Sequence, residues 1–229
     1  MYKAIFFDLD RTLWDMERNN FETLHDLYFF HHLEQKGISN VALFVNTYNH
    51  VNHAAWELYR EDKIDTDSLR WRRFNDTFLV LGLNNIDLAK KMSDDYIRIN
   101  PIKTHLIPHA LDSIDYLFKK YALYIITNGF EEVQRVKINN CGINLYFKKL
   151  ITSETVGYKK PDVRIFQYAL KESGFEAADC LMVGDEYETD IAGAKNAGID
   201  QIYFNPEAHF KGIEATYKIS SLKTLQDML

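Results

Sequence analysis

Two rhythms of apolar and polar positions divide this chain. It opens on a short, almost unbroken apolar run over residues 3–9, containing Ala4-Ile5-Phe6-Phe7 and closed by acid. A run of this kind, aromatic and without helical spacing, predicts a buried strand. Apolar residues then recur every three or four positions, the spacing that lines one face of a helix. Phe21, Leu24, Leu27, Tyr28 and Leu33 form a first stripe. Val41, Phe44, Val45, Tyr48, Ala55, Trp56 and Tyr59 form a second, with Ser39 or Asn40 placed to cap it. Leu69, Phe74, Phe78 and Leu81 form a third, capped near Asp65 to Asp67. Leu88, Met92, Tyr96 and Ile99 form a fourth, ended by Asn100-Pro101.

From about residue 105 the rhythm changes to alternation. Helices are predicted over 109–120, 130–140, 161–173 and 187–197, and strands over 121–127, 149–152, 180–183 and 201–204. Strands alternating with helices imply a parallel sheet wrapped by helices. The expected fold is therefore α/β, with a Rossmann-like parallel sheet core made of residues 1–14 and 101–229. An all-helical domain, residues 15–100, interrupts it after the first strand. An insertion of about 85 residues is far longer than an ordinary loop.

Composition narrows the function classes. With 46% hydrophobic and 26% charged residues the chain reads as an ordered globular protein. A net charge of -6, with no Lys/Arg run longer than a pair, argues against a nucleic-acid polymer as partner. Arg70, Arg72 and Arg73 cluster, and a solvated helix face accounts for them. Cys141 and Cys180 lack CxxC spacing, which fits a reducing compartment without a structural zinc. The apolar start is too short for a signal peptide or a membrane span. A cytoplasmic protein without a membrane partner is expected. His50 and His53 lie one helical turn apart, but no further ligands are spaced to complete a zinc site.

Ligands of open α/β sheets gather at the carboxyl ends of the strands, so the residues just past each strand carry the most information. After the first come Asp8-Leu9-Asp10-Arg11-Thr12, and after the second Thr127-Asn128-Gly129. After the third, at a helix start, come Lys159-Lys160-Pro161-Asp162. After the fourth come Gly184-Asp185-Glu186, with Asp190 five residues beyond Asp185. Strand geometry directs Asp8 and Asp10 to one side if it persists that far. Two carboxylates ~4 Å apart repel by about 4 kcal/mol at an effective dielectric of 20. Such a pair persists with a cation between its members or with one member protonated. Both conditions suit phosphoryl chemistry, which needs a charged nucleophile and a proton for the leaving group. Other phosphate or acyl machinery is missing: no GxxxxGK[ST] loop, no GxGxxG after the first strand and no GxSxG elbow.

The four strand-end motifs, in this order, resemble those of the haloacid dehalogenase superfamily of phosphatases across essentially the whole chain. The resemblance implies a helical cap inserted after the first motif. It implies Asp8 as nucleophile and Asp10 as general acid and base. It further implies Thr127 and Asn128, with Lys160, at the phosphoryl group, and Mg²⁺ held by Asp8, the Asp10 backbone carbonyl and Asp185. Asp190 would support the metal from behind. Asp10 argues for a phosphatase or mutase over a dehalogenase, which has no leaving group to protonate. Asp8 to Asn19 and Tyr203-Phe204-Asn205-Pro206 are similar to the bacterial pyrimidine 5'-nucleotidase branch. The expected partner is a small phosphorylated metabolite, a pyrimidine nucleoside monophosphate, with Trp14, Phe21, Tyr48, Trp56 or Trp71 as a platform for its base. A phosphosugar phosphatase or mutase on the same core is the alternative. A third reading, a phospho-acceptor scaffold, is disfavoured by the insertion.

Overall fold

The computed structural model of the protein describes residues 2–229. Its strands are β1 (Ala4–Phe7), β2 (Ala122–Thr127), β3 (Phe147–Thr152), β4 (Cys180–Gly184), β5 (Asp200–Phe204) and β6 (Tyr217–Ile219). Between β1 and β2 lie α1 (Met16–Phe30), α2 (Val41–Arg60), α3 (Thr66–Val80), α4 (Ile86–Ile99) and α5 (Ala110–Phe118). The remaining helices are α6 (Glu131–Asn140), α7 (Ser153–Val156), α8 (Val163–Ser173), α9 (Ala192–Asn196) and α10 (Thr224–Met228). The chain forms two compact units, Met1–Met16 with Thr104–Leu229, and Glu17–Lys103.

The first unit is built on one six-stranded sheet, ordered β3-β2-β1-β4-β5-β6, with every pairing parallel. All four residues of β1 are fully buried, because helices cover both faces of the sheet. Ile5 and Phe7 point to the face packed by Ile114, Leu117 and Leu222. Ala4 and Phe6 point to the face packed by Ile165, Phe166 and Ala194. Burying side chains of this size contributes about 1.5–3 kcal/mol each, which explains the unbroken apolar run. The chain places β2 and β3 on one side of β1 and then returns with β4 on the other. That reversal opens a crevice at the carboxyl ends of β1 and β4.

The second unit is the helical one. Asn40 caps α2 by accepting from the Leu43 N–H at 3.0 Å, and Asp65 caps α3 by accepting from Ser68 N–H at 2.7 Å. Asn85 does the same for α4 through Leu88 N–H at 3.0 Å. The predicted apolar stripes meet in one cluster containing Leu24, Leu27, Phe44, Tyr48, Phe74, Phe78, Met92 and Tyr96.

Four expectations need correction. Phe21 belongs to no core stripe; it is half exposed and its ring lies beside His25. Arg73 is not on a solvated face but 5% exposed inside the helical unit. Its Nε donates to Leu69 O at 3.1 Å and its Nη1 to Asn52 Oδ1 at 2.9 Å, with the Tyr48 and Tyr96 rings against the guanidinium. Residues 187–197 are not one α-helix: Tyr187–Ile191 make a π-helical turn that continues into α9. Finally, β6 and α10 come after the last predicted strand. Tyr217 and Lys218 of β6 are exposed and only Ile219 is buried, so three residues carry no readable pattern.

Candidate active site

The carboxyl end of β1 delivers Asp8 into the crevice, its own N–H still paired with Val183 O of β4 at 2.9 Å. Lys160 arrives from the loop before α8 and is 2% exposed. Its ammonium donates to Asp8 Oδ1 at 2.6 Å, Asp190 Oδ1 at 2.6 Å and Ile126 O at 2.9 Å. A lysine has three donors, so every one is used and its position is over-determined. Burial works to lower the lysine pKa, but the charges of Asp190 and Asp8 outweigh it and hold it above the ordinary value.

Three carboxylates gather here, and two of them, Asp8 and Asp190, are bonded to this cation. Asp8, Asp185 and Asp190 each place an oxygen within 4.8 Å of the other two. Burial pushes Asp8 up to about 7; Lys160 opposes the rise, while Asp190 and then Asp10 add to it. Burial, then Asp8 and Asp190, hold Asp185 well above the carboxylate range, against the pull of Arg11 and Thr12. Thr12 Oγ1 donates to Asp185 Oδ1 at 3.0 Å. Asp190 sits on the π-helical turn, where its Oδ2 accepts from Glu186 N–H at 3.1 Å. Gly184 admits it, since a Cβ there would stand 2.3 Å from Asp190 Oδ2 and 2.5 Å from its Cβ.

Asp10 stands apart from this cluster. Regular strand geometry ends at Phe7, and Arg11 turns the chain with φ 67°. The Asp10 carboxylate therefore meets α6: Oδ1 accepts from Lys137 Nζ at 2.6 Å and Oδ2 from Gln134 Nε2 at 2.8 Å. The acids closest to Asp8 are those of the fourth motif, so the Asp8–Asp10 repulsion read from strand alternation is not the main one. Thr127 Oγ1 accepts from Gly129 N–H at 3.0 Å and Gln134 Nε2 at 2.9 Å. With both lone pairs engaged, its own proton is left to donate outward. Asn128 uses its side chain on the Lys160 backbone, accepting from its N–H at 2.7 Å and donating to its carbonyl at 3.0 Å.

The structure thus gathers Asp8, Asp185, Asp190 and Lys160 into one cluster and ties Asp10 to Thr127 through α6. Trp14 is corrected: at 1% exposure it is core, with Lys137 Nζ 4.1 Å from its ring centroid, and it cannot stack on a base. Tyr48, fully buried, is likewise excluded as a platform. Sequence reasoning missed Gln134 and Lys137. The available signal was their polarity at two positions of α6 that are buried with Ile138.

The chain is similar in sequence and fold to known proteins. The haloacid dehalogenase-like hydrolase family matches residues 2–198. The pyrimidine 5'-nucleotidase PynA of Streptococcus pneumoniae is 30% identical, covering 100% of this chain and 95% of that protein. The pyrimidine 5'-nucleotidase YjjG of Escherichia coli is 31% identical, over 98% and 96%. A glyceraldehyde 3-phosphate phosphatase of Methanothermobacter thermautotrophicus is 32% identical, over 90% and 87%. The magnesium-bound crystal structure of YfnB from Bacillus subtilis superposes with a TM-score of 0.88 at 28% identity, covering 100% of this chain and 98% of that one. The family match over most of the chain, the parallel sheet and the four strand-end segments carrying Asp8, Thr127, Lys160 and Asp185 agree, and the chain belongs to the haloacid dehalogenase-like hydrolases.

Proposed function

We propose that this hydrolase cleaves phosphomonoesters through a phosphoaspartyl intermediate on Asp8, and that its substrates are pyrimidine nucleoside 5'-monophosphates. The observation that carries the chemistry is the division of labour among three anchored groups. Asp8 is directed by Lys160, Thr127 keeps a proton to donate, and Asp10 is held by its own two donors.

In this reading the Asp8 carboxylate forms a bond to phosphorus as the bond to the leaving oxygen breaks, and Asp10 gives that oxygen a proton. Asp10 then takes a proton from water as the water oxygen attacks phosphorus, releasing phosphate and restoring Asp8. Lys160 and Thr127 face the charge that spreads over the phosphoryl oxygens.

The acid cluster also fits a divalent cation. Its donors are hard carboxylate oxygens. Of the three acids, Asp8 and Asp190 are bonded to the ammonium of Lys160 while Asp185 accepts from Thr12, and burial with mutual repulsion raises Asp8 and Asp185. Asp8 and Asp185 would hold Mg²⁺, with the Asp10 carbonyl, and Asp190 lies close enough to support or join them. Such an ion would supply positive charge against the incoming phosphoryl group.

The nucleotide preference rests on PynA and YjjG, whose similarity runs over nearly the full length of both chains, and on the resemblance of Asp8–Asn19 and Tyr203–Pro206 to the pyrimidine 5'-nucleotidase branch. The archaeal glyceraldehyde 3-phosphate phosphatase supports the phosphosugar alternative. Phosphate release across a panel separates them. We expect kcat/KM for UMP, dUMP or dTMP to exceed that for glucose 6-phosphate or glyceraldehyde 3-phosphate by at least about tenfold, roughly 1.4 kcal/mol of transition-state binding. A panel led by sugar phosphates overturns the nucleotidase reading, and no release from any monoester overturns the phosphatase reading.

A further inference from the structure

Gln134, a residue of no strand-end motif, is bonded to two groups that the proposed chemistry assigns to different tasks. Its side-chain nitrogen has two hydrogens, one engaged with Asp10 Oδ2 at 2.8 Å and the other with Thr127 Oγ1 at 2.9 Å. Three residues along α6, hence on the same face, Lys137 donates to the remaining Asp10 oxygen at 2.6 Å. Both side chains are buried, and Lys137 is further held against the Trp14 ring. The orientation of the amide is not interchangeable. Turned over, it would set its carbonyl oxygen against the Asp10 carboxylate and strip Thr127 of a donor.

Two features of the arrangement are costly, which argues against simple packing. Gln134 Oε1 is buried without a hydrogen-bond partner, a penalty of about 1–3 kcal/mol that an apolar side chain of the same shape would avoid. Gly129, immediately after Thr127-Asn128, is needed for space: a Cβ there would lie 2.0 Å from Gln134 Nε2 and 2.6 Å from its Cδ. The glycine of this strand end therefore makes room for the glutamine.

We infer that Gln134, seconded by Lys137, is a positioning residue that sets the direction of the Asp10 carboxylate and of the Thr127 hydroxyl proton together. By accepting from Gln134 and Gly129, Thr127 must donate outward. By accepting from Gln134 and Lys137, Asp10 is fixed at both oxygens. One amide thus keeps the proton donor for the leaving group and the hydrogen bond to the phosphoryl group in a single register. The inference rests on the phosphatase reading above.

The test uses the ratio of kcat/KM for the best alkyl monoester of the panel to that for 4-nitrophenyl phosphate. The nitrophenolate leaves without a proton, so the ratio reports delivery of the proton by Asp10. Because both values come from one preparation, the folded fraction cancels. Asp10→Asn should lower the ratio, and Gln134→Met should lower it by at least about tenfold, part of the roughly 10²–10⁴-fold that a placed general acid contributes. Lys137→Met should move it the same way. In an Asp10→Asn background, adding Gln134→Met should change the ratio less than about twofold, as expected for residues acting as a unit. If Gln134→Met and Lys137→Met leave the ratio unchanged while Asp10→Asn lowers it, the positioning role is overturned and the phosphatase reading stands. If Asp10→Asn itself leaves the ratio unchanged, the acid role of Asp10 falls and the inference falls with it.

Discussion

Replacing Lys160 by methionine removes the ammonium bonded to Asp8, Asp190 and the Ile126 carbonyl and fills its volume with an uncharged chain. The site is almost fully buried, and deleting one partner of a buried ion pair costs about 3–5 kcal/mol when the other remains charged. Whether the acids remain charged depends on pH. Asp8 titrates at about 7 in the folded protein against 3.8 as a free side chain, and Asp185 is shifted the same way. A raised acid pKa means that the folded state still holds protons the unfolded chain has released, so stability falls as pH rises from about 4 to 7. The lysine pKa is itself raised, so its contribution is complete below the ordinary lysine value and lost only far above this window. Lys160→Met deletes the main force opposing the rise of Asp8. At pH 5 Asp8 stays protonated and the loss at that carboxyl should be about 1–2 kcal/mol, the worth of the hydrogen bond. At pH 8 it should reach about 3–5 kcal/mol. Urea unfolding with a chelator present, at pH 5 and pH 8, measures both. A loss equal at the two pH values, or larger at pH 5, refutes the reasoning.

Asp8→Asn should reduce phosphate release at least ~10⁴-fold while the protein stays folded, read by initial rates beside circular dichroism. Excess EDTA should abolish activity and Mg²⁺ restore it, with Asp185→Ala raising the Mg²⁺ concentration for half-maximal rate; full activity in EDTA would remove the metal from the proposal. Gly184→Ala puts a methyl group into Asp190 and should cost about 1–3 kcal/mol by denaturant unfolding, with a weaker response to Mg²⁺; an unchanged midpoint would show that the turn yields freely.

Much of the architecture was written in local sequence. Ala4 to Phe7 read as a strand because burial on both faces leaves no polar positions, and α2 and α3 began where Asn40 and Asp65 offered capping oxygens. Asp8, Thr127, Lys160, Asp185 and Asp190 were legible because a parallel sheet brings every strand's carboxyl end to one edge, so the segment after each strand names its contribution. These are short-range signals: a period, a cap, a residue placed just past a strand.

Tertiary structure alone decided who holds whom. Gln134 and Lys137 reach Asp10 across 124 and 127 positions of sequence, and nothing near either residue marks a partner so distant. Trp14 and Arg73 misled for the same reason. An aromatic ring or a guanidinium has no fixed side of the surface until its neighbours are placed, and here one packs under Lys137 and the other against two tyrosine rings. The π-helical turn that carries Asp190 arises from a single extra residue per turn, which leaves the composition of the segment unchanged. Periodicity records which face of an element is buried. The direction of a buried polar side chain is set by donors and acceptors that arrive from other elements, and only the folded chain brings them together.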